Sequence, residues 1–257
     1  MINPMALTGC NVIVTGAAQG IGEAAARLVV DLGGKAILVD VKGERIEALA
    51  DELGAANAQA YAGSVSDQPK VQGIVDKAVK ANGAIHGLVN NAGIVRAAMA
   101  VNMTAQTWQD VIDVNLSGVF FCLQAVGRHM IARREDGDDG PASIVNISSD
   151  AGRRGTFGQI NYGAAKSGVM GLTMSSAREW SGKGLRVNTI CFGVVETEMT
   201  EVVRGERFRD GLMAQIPMKR FSTPEEVVKP VAFLLSEASS YITGQHLSVN
   251  GGYTIGV

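Results

Sequence analysis

The sequence predicts an α/β protein: one doubly wound domain spanning residues 1–257, in which seven parallel strands form a sheet flanked by helices. Three observations predict it. Short aliphatic and β-branched runs alternate with longer helical patterns along the whole chain. The short runs are continuously apolar, as in strands buried on both faces, rather than alternating apolar and polar. A repeated strand–helix–strand order with right-handed crossovers then imposes a doubly wound sheet.

The elements follow in order. Asn11–Thr15 (NVIVT) is short and β-branched, and Gly22–Leu32 is an Ala-rich helix with Leu28, Val29 and Leu32 on one side. Lys35–Asp40 (KAILVD) is a second buried strand, followed by a helix over Glu44–Leu53. Ala58–Ala62 is a weaker third strand. Pro69–Ala81 is a helix whose apolar side carries Val71, Ile74, Val75, Ala78 and Val79. Ile85–Asn90 is the fourth strand, and two helices follow around Thr107–Leu116 and Ser117–Arg134. Ser143–Ser148 is strand five, Ile160–Ser181 a long helix, and Arg186–Cys191 strand six. A helix near Pro224–Leu235 and a strand over His246–Asn250 complete the pattern. The polar stretch Arg133–Pro141 reads as a surface loop.

Composition narrows the function. With 46% hydrophobic residues and net charge −2 the chain is neither disordered nor membrane-like in balance. Its 23 Lys+Arg against 25 Asp+Glu leave no basic excess for a nucleic-acid face. Cys10, Cys122 and Cys191 are odd in number and widely spaced, which argues against a disulfide framework or a zinc site and for a reducing compartment. No apolar run approaches the ~18 residues of a membrane span, so a soluble, cytoplasmic protein is expected. Glycine, 32 of 257 residues, is in excess, as expected where tight turns bring backbone close to a ligand.

Four sequence features carry chemistry. The first strand ends in Thr15-Gly16-Ala17-Ala18-Gln19-Gly20-Ile21-Gly22 and opens a helix. Such a turn can seat a pyrophosphate on backbone N–H groups at the positive helix end. Gly16 allows the turn, Gly20 keeps a Cβ out of the phosphate path, and Gly22 permits close helix–strand packing. Asp40 ends the second strand, where an acid can accept hydrogen bonds from both ribose hydroxyls and repel a 2′-phosphate. Gln19 stands where a basic residue could have met that phosphate, although Lys42 lies close by. NAD(H) is therefore preferred over NADP(H). Tyr162 and Lys166 are one helical turn apart, so the ammonium is expected to lower the phenol's pKa from about 10. Ser149 follows strand five, at the strand end where open α/β sheets bind ligands, and its hydroxyl can stabilise charge on a substrate oxygen.

Together these residues, with Asn90-Asn91-Ala92-Gly93 and Asn115, resemble the full motif set of the classical short-chain dehydrogenase/reductase family, a Rossmann-type fold. The resemblance runs from Leu7 to about Tyr253. Val194–Thr200 and the ending Gly244-Gln245…Asn250-Gly251-Gly252 resemble its 3-oxoacyl-(acyl-carrier-protein) reductase branch. It implies that Tyr162 exchanges a proton with the alcohol or ketone oxygen. Lys166 would tune that tyrosine and hold the nicotinamide ribose, Ser149 would orient the substrate, and Asn115 would belong to a water relay. Gly16, Gln19, Gly20, Ile21, Gly22, Asp40, Ser64, Val65, Asn91, Ala92 and Gly93 would bind the cofactor, together with Tyr162, Lys166, Val195 and Thr197. No metal is implied.

The chain departs from the family pattern twice. Ser64 stands where an Asp usually flanks the adenine, and Phe192-Gly193 replaces a Pro-Gly pair; Phe192 is expected to pack rather than shape the pocket. Residues 196–216, rich in alternating charge, are expected to form a substrate lid. Met99, Met103, Phe157, Val194, Met199 and Met213 are candidate pocket walls. The resemblance implies a homotetramer. It also places Arg133, Arg134 and Lys183 where an acyl carrier protein could dock, but the acidic stretch Glu135–Asp139 disfavours that partner. The expected activity is NAD(H)-dependent interconversion of a secondary alcohol and a ketone, with a β-keto substrate such as a 3-oxoacyl thioester. Two rivals are an NADPH-dependent 3-oxoacyl-(acyl-carrier-protein) reductase and a non-catalytic dinucleotide sensor.

Overall fold

A computed structural model of the chain describes residues 3–256. Seven strands form one sheet in the order β3-β2-β1-β4-β5-β6-β7, with every neighbouring pair parallel. The strands are β1 (Asn11–Thr15), β2 (Lys35–Asp40), β3 (Ala58–Ala62), β4 (Gly87–Asn90), β5 (Ser143–Ser149), β6 (Arg186–Phe192) and β7 (His246–Val249). The longer helices between them are α1 (Gly20–Asp31), α2 (Gly43–Leu53), α3 (Gln68–Asn82), α4 (Ala105–Ile112) and α5 (Gly118–Glu135). The short α6 (Ala151–Arg154) precedes α7 (Ile160–Trp180), and α8 (Glu201–Arg204), α9 (Glu206–Gln215) and α10 (Pro224–Leu235) follow β6.

The strands are apolar throughout because both faces are covered. In β1, Val12 and Val14 point into one apolar cluster with Ala24, Ala25 and Val29 of α1 and Val231 and Leu234 of α10. Ile13, between them, joins Val71, Ile74 and Val75 of α3 and Leu123 and Val126 of α5 on the opposite face. Val14, Leu38, Val89 and Ile144 are fully buried, and each such side chain contributes about 1.5–3 kcal/mol of transfer free energy. A buried polar chain crosses this core: Asn90 donates to Asn146 at 2.9 Å, and Asn146 to Thr173 at 2.9 Å. It ties β4, β5 and α7 together and leaves none of these buried amides without a partner, which would otherwise be destabilising.

Several expected boundaries shift. α1 starts at Gly20 rather than Gly22, with Gln19 extended as its N-cap. β4 starts at Gly87 because the backbone N–H of Ile85 is taken by His129 Nε2 at 3.0 Å. The two helices expected before β5 are one run, α4 passing through a π-helical turn at Asp113–Ser117 into α5. The joined run is long because the two helices are continuous. Ala105–Glu135 is a 31-residue helix long and apolar enough to cross a membrane by length and composition, with 50% of its most apolar window buried inside the protein. Its inward residues Cys122, Leu123 and Val126 belong to the core beneath the sheet.

Candidate active site

The sheet order reverses between β1 and β4: the chain runs outward from β1 through β2 to β3, then crosses from β3 back to β4 on the other side of β1. Ligands of such sheets bind outside the carboxyl ends of the strands at this reversal. A cleft of about 360 Å³ lies there, within the ordinary range of small-molecule sites. Gly16, Gln19, Gly20 and Ile21 line it from the β1–α1 turn, and Asn91, Ala92 and Gly93 from the β4 end.

The turn needs its glycines for separate reasons. Gly16 has φ +66°, and a Cβ there would sit 2.8 Å from the Ala92 Cα. At Gly22 a Cβ would lie 1.9 Å from the Gly16 carbonyl oxygen, so only glycine lets α1 fold back on its own turn. Gly22 is buried there and does not line the cleft. The Thr15 hydroxyl accepts the N–H groups of Asn91 (3.0 Å) and Ala92 (3.1 Å), and Asn91 Nδ2 donates to the Thr15 carbonyl (3.1 Å). These bonds join the two halves of the cleft floor.

Asp40 closes one end of the cleft. Its Oδ2 accepts from Ala18 N–H at 3.1 Å and its Oδ1 from Lys42 N–H at 3.0 Å. Each oxygen keeps acceptor capacity, so the carboxylate can still receive hydroxyl groups. Exposed backbone at a helix N-terminus, a carboxylate for ribose hydroxyls and a glycine cradle that a Cβ would fill are together the chemistry of a dinucleotide site.

Ser149, Tyr162 and Lys166 line the other end. The first turns of α7 are pinned to β5 by two reciprocal bonds: Lys166 Nζ donates to the Ile147 carbonyl and Ser148 Oγ to the Lys166 carbonyl, both at 2.8 Å. Lys166 Nζ lies 5.6 Å from the centre of the Tyr162 ring. Burial pushes the phenol up to about 12, opposed by a hydrogen bond from Ser149. Burial also pushes the Lys166 amine down to about 8. Desolvation is the largest influence on the phenol, and the Lys166 amine directs a proton at the Ile147 carbonyl.

Val195 and Thr197, after β6, line the cleft as well. Phe192 is 4% exposed, belongs to the apolar core and is among the residues lining the cleft, so it both packs and lines. Besides Gly22, three expected site residues lie outside the lining. Asn115, at 0% exposure in the π turn, accepts from Ile94 N–H (2.8 Å) and donates to the Ile94 carbonyl (2.9 Å). It therefore clamps the backbone beside Gly93. Ser64 bonds Ser66 Oγ at 2.8 Å, and Val65 is buried against the position of Gly118. Among the expected apolar walls only Met199 lines the cleft; Met99 and Phe157 are exposed.

Arg133, Arg134 and Lys183 are not free beside the cleft. Arg133 is buried and donates to Asp138 and the Pro141 carbonyl, Arg134 donates to the Gly184 carbonyl, and Lys183 pairs with Glu135. Pro141 and Gly184 precede β5 and β6, which sets this cluster at the amino ends of the strands, opposite the cleft. Sequence reasoning missed Arg45 and Glu198, which converge with Gln19 and Lys42 over the Asp40 end. Their separation along the chain left no spacing signal.

The family model described as enoyl-(acyl carrier protein) reductase matches residues 16–254. The chain is similar to the 3-oxoacyl-(acyl-carrier-protein) reductase of Thermotoga maritima, 41% identical over 98% of this chain and 100% of the relative. It is 38% identical to the reductase of that name from Vibrio cholerae, over 96% of this chain and 98% of the relative. The Staphylococcus aureus reductase is also 38% identical, over 93% and 96%. With this agreement along nearly its whole length, the chain belongs to the short-chain dehydrogenase/reductase family and is an oxidoreductase acting on CH–OH and keto groups.

Proposed function

We propose that the protein is an NAD(H)-dependent oxidoreductase that interconverts a secondary alcohol and a ketone, with a 3-oxoacyl thioester or similar β-keto compound as its substrate. The observation that carries this reading is the meeting of Asp40 at one end of a single cleft with Ser149, Tyr162 and Lys166 at the other. Asp40 would take the adenosine ribose hydroxyls. The backbone of Gly16–Ile21 would hold the pyrophosphate, and Val195, Thr197 and Lys166 the nicotinamide half. The bound nicotinamide supplies or accepts the hydride.

The chain's own residues handle the proton. In reduction, the Tyr162 hydroxyl donates its proton to the carbonyl oxygen as the carbonyl carbon gains hydride, and Ser149 donates a hydrogen bond to the same oxygen. Burial keeps the phenol in its protonated form at neutral pH, the form that this step uses. Lys166, one turn along, limits the charge left on the phenolate. Asn115 acts by fixing Ile94 and Gly93 against the cofactor. Residues 196–216 form the lid: a segment of short helices that begins at the nicotinamide end and carries Met199 into the cleft.

The names of the relatives favour the 3-oxoacyl class of substrate. The burial and pairing of Arg133 and Lys183 weaken the case for an acyl carrier protein at that surface. Exposed Trp108, Phe120 and Met174 on α4, α5 and α7 favour a homotetramer through those helices, and three buried, free cysteines fit a reducing cytoplasm. Steady-state rates with NADH and NADPH test the cofactor; a strong NADPH preference defeats the NAD(H) assignment. Tyr162→Phe tests the chemistry. The rate should fall by about 10²–10⁴ with unchanged NADH affinity. A variant that keeps its rate would remove Tyr162 from its role.

A further inference from the structure

The Asp40 end of the cleft carries an arrangement that the proposed reaction does not require. Gln19, in the glycine turn, donates through Nε2 to Glu198 Oε2 at 2.8 Å. Its Oε1 accepts from Arg45 Nη1 at 3.0 Å and from Lys42 Nζ. The Glu198 carboxylate also lies 3.7 Å from Arg45 Nη1 and 3.9 Å from Lys42 Nζ. One anion, delivered from the segment after β6, therefore rests where an amide N–H, an ammonium and a guanidinium converge. The backbone N–H of Lys42 binds Asp40, so this point adjoins the acid expected to hold the ribose hydroxyls.

We propose that Gln19, Lys42 and Arg45 form an anion seat for a 2′-phosphate, and that Glu198 fills this seat as an internal carboxylate and so selects the unphosphorylated dinucleotide. The inference rests on the dinucleotide reading of the cleft. Lys42 and Arg45 by themselves would attract a 2′-phosphate. With Glu198 between them the two cations are partly neutralised, and an incoming phosphate must both displace a carboxylate and approach Asp40. Removing the carboxylate's charge leaves the donors in place and unopposed. A unit charge at about 4 Å in a water-like medium corresponds to about a fivefold change in affinity. All three charged side chains are substantially exposed, 45% for Lys42, 54% for Arg45 and 62% for Glu198, so the effect should shrink with added salt and the variants should fold.

AMP and adenosine 2′,5′-bisphosphate differ only in the 2′-phosphate and report the seat without turnover. Calorimetric titration of the full chain with both probes, alongside NADH and NADPH, should show that Glu198→Gln tightens the bisphosphate and NADPH about fivefold or more. AMP and NADH should stay within about twofold. In a Lys42→Met/Arg45→Met background, Glu198→Gln should change neither. An unchanged bisphosphate affinity overturns the proposal, and so does equal tightening of AMP, which would mean that Glu198 guards the 5′-phosphate. The comparison is between variant and wild type, so a wild-type preference for NADPH would count against the NAD(H) assignment alone. Failure of the wild type to bind either AMP or NADH would overturn the dinucleotide reading and this proposal with it.

Discussion

Replacing Gly22 by alanine isolates the demand that the β1–α1 turn makes on one residue. By local propensity the change is favourable, since alanine in a helix is about 1 kcal/mol better than glycine. Tertiary geometry opposes it. The new Cβ would fall 1.9 Å from the Gly16 carbonyl oxygen and 2.7 Å from Asn91 Nδ2, and a carbonyl at the base of the turn cannot swing aside like the end of a long side chain. Overpacking a rigid site costs about 1–3 kcal/mol, and a backbone clash of this depth belongs at or above the upper end. The net expectation is about 2 kcal/mol of destabilisation, or a Tm lower by about 4–8 °C for a chain of this size. Because Gly16 and Asn91 form the cleft floor, NADH affinity should fall about tenfold in the same variant. Gly73→Ala is the control. Gly73 lies inside α3 with nothing within 4 Å of its Cβ position, so Tm should rise by about 2–4 °C with NADH affinity unchanged. Thermal unfolding followed by circular dichroism and titration with NADH read both quantities. If the two variants move Tm in the same direction, the packing argument for Gly22 is wrong.

Two further perturbations address the supports of the site. Asn115→Leu leaves the Ile94 N–H and carbonyl without their partners and should destabilise the protein by about 2 kcal/mol, lowering Tm by about 4–8 °C. An unchanged Tm would show that water or a neighbour takes over both bonds. His86 Nδ1 accepts from Asn11 N–H and His129 Nε2 from Ile85 N–H, each at 3.0 Å, which only neutral rings can do. Burial, helped by Arg133, lowers both rings below the usual 6.5. The unfolded chain therefore binds protons first on acidification, so this stability is complete above about pH 6.5 and lost as pH falls through the lower folded values. The urea midpoint should drop between pH 7 and pH 5, and His129→Gln should flatten that slope. A midpoint independent of pH across this interval would contradict it.

Much of this protein was legible in the sequence. Strands buried on both faces must be continuously apolar, so NVIVT, KAILVD and SIVNIS marked the sheet, and the parallel order followed from the helices between them. The glycine turn, Asp40, Ser149, Tyr162 and Lys166 were legible because each stands at a strand end or within one helical turn of another. Asn115 was found, but not its contact with Ile94, since a π turn has no signature in a run of apolar residues.

What the chain alone determined is therefore local: periodicity, the turn chemistry of Gly16 and Gly20, and the one-turn spacing of Tyr162 and Lys166. The folded molecule decided whatever depends on two distant segments sharing one environment. Burial raises the phenol and lowers the amine, an influence that their spacing along the chain does not carry. Folding brings Glu198 to Gln19 across 179 residues, and it takes Arg133 and Lys183 away from the cleft. Desolvation and long-range pairing are properties of a closed three-dimensional arrangement, and residue spacing along a chain does not encode them.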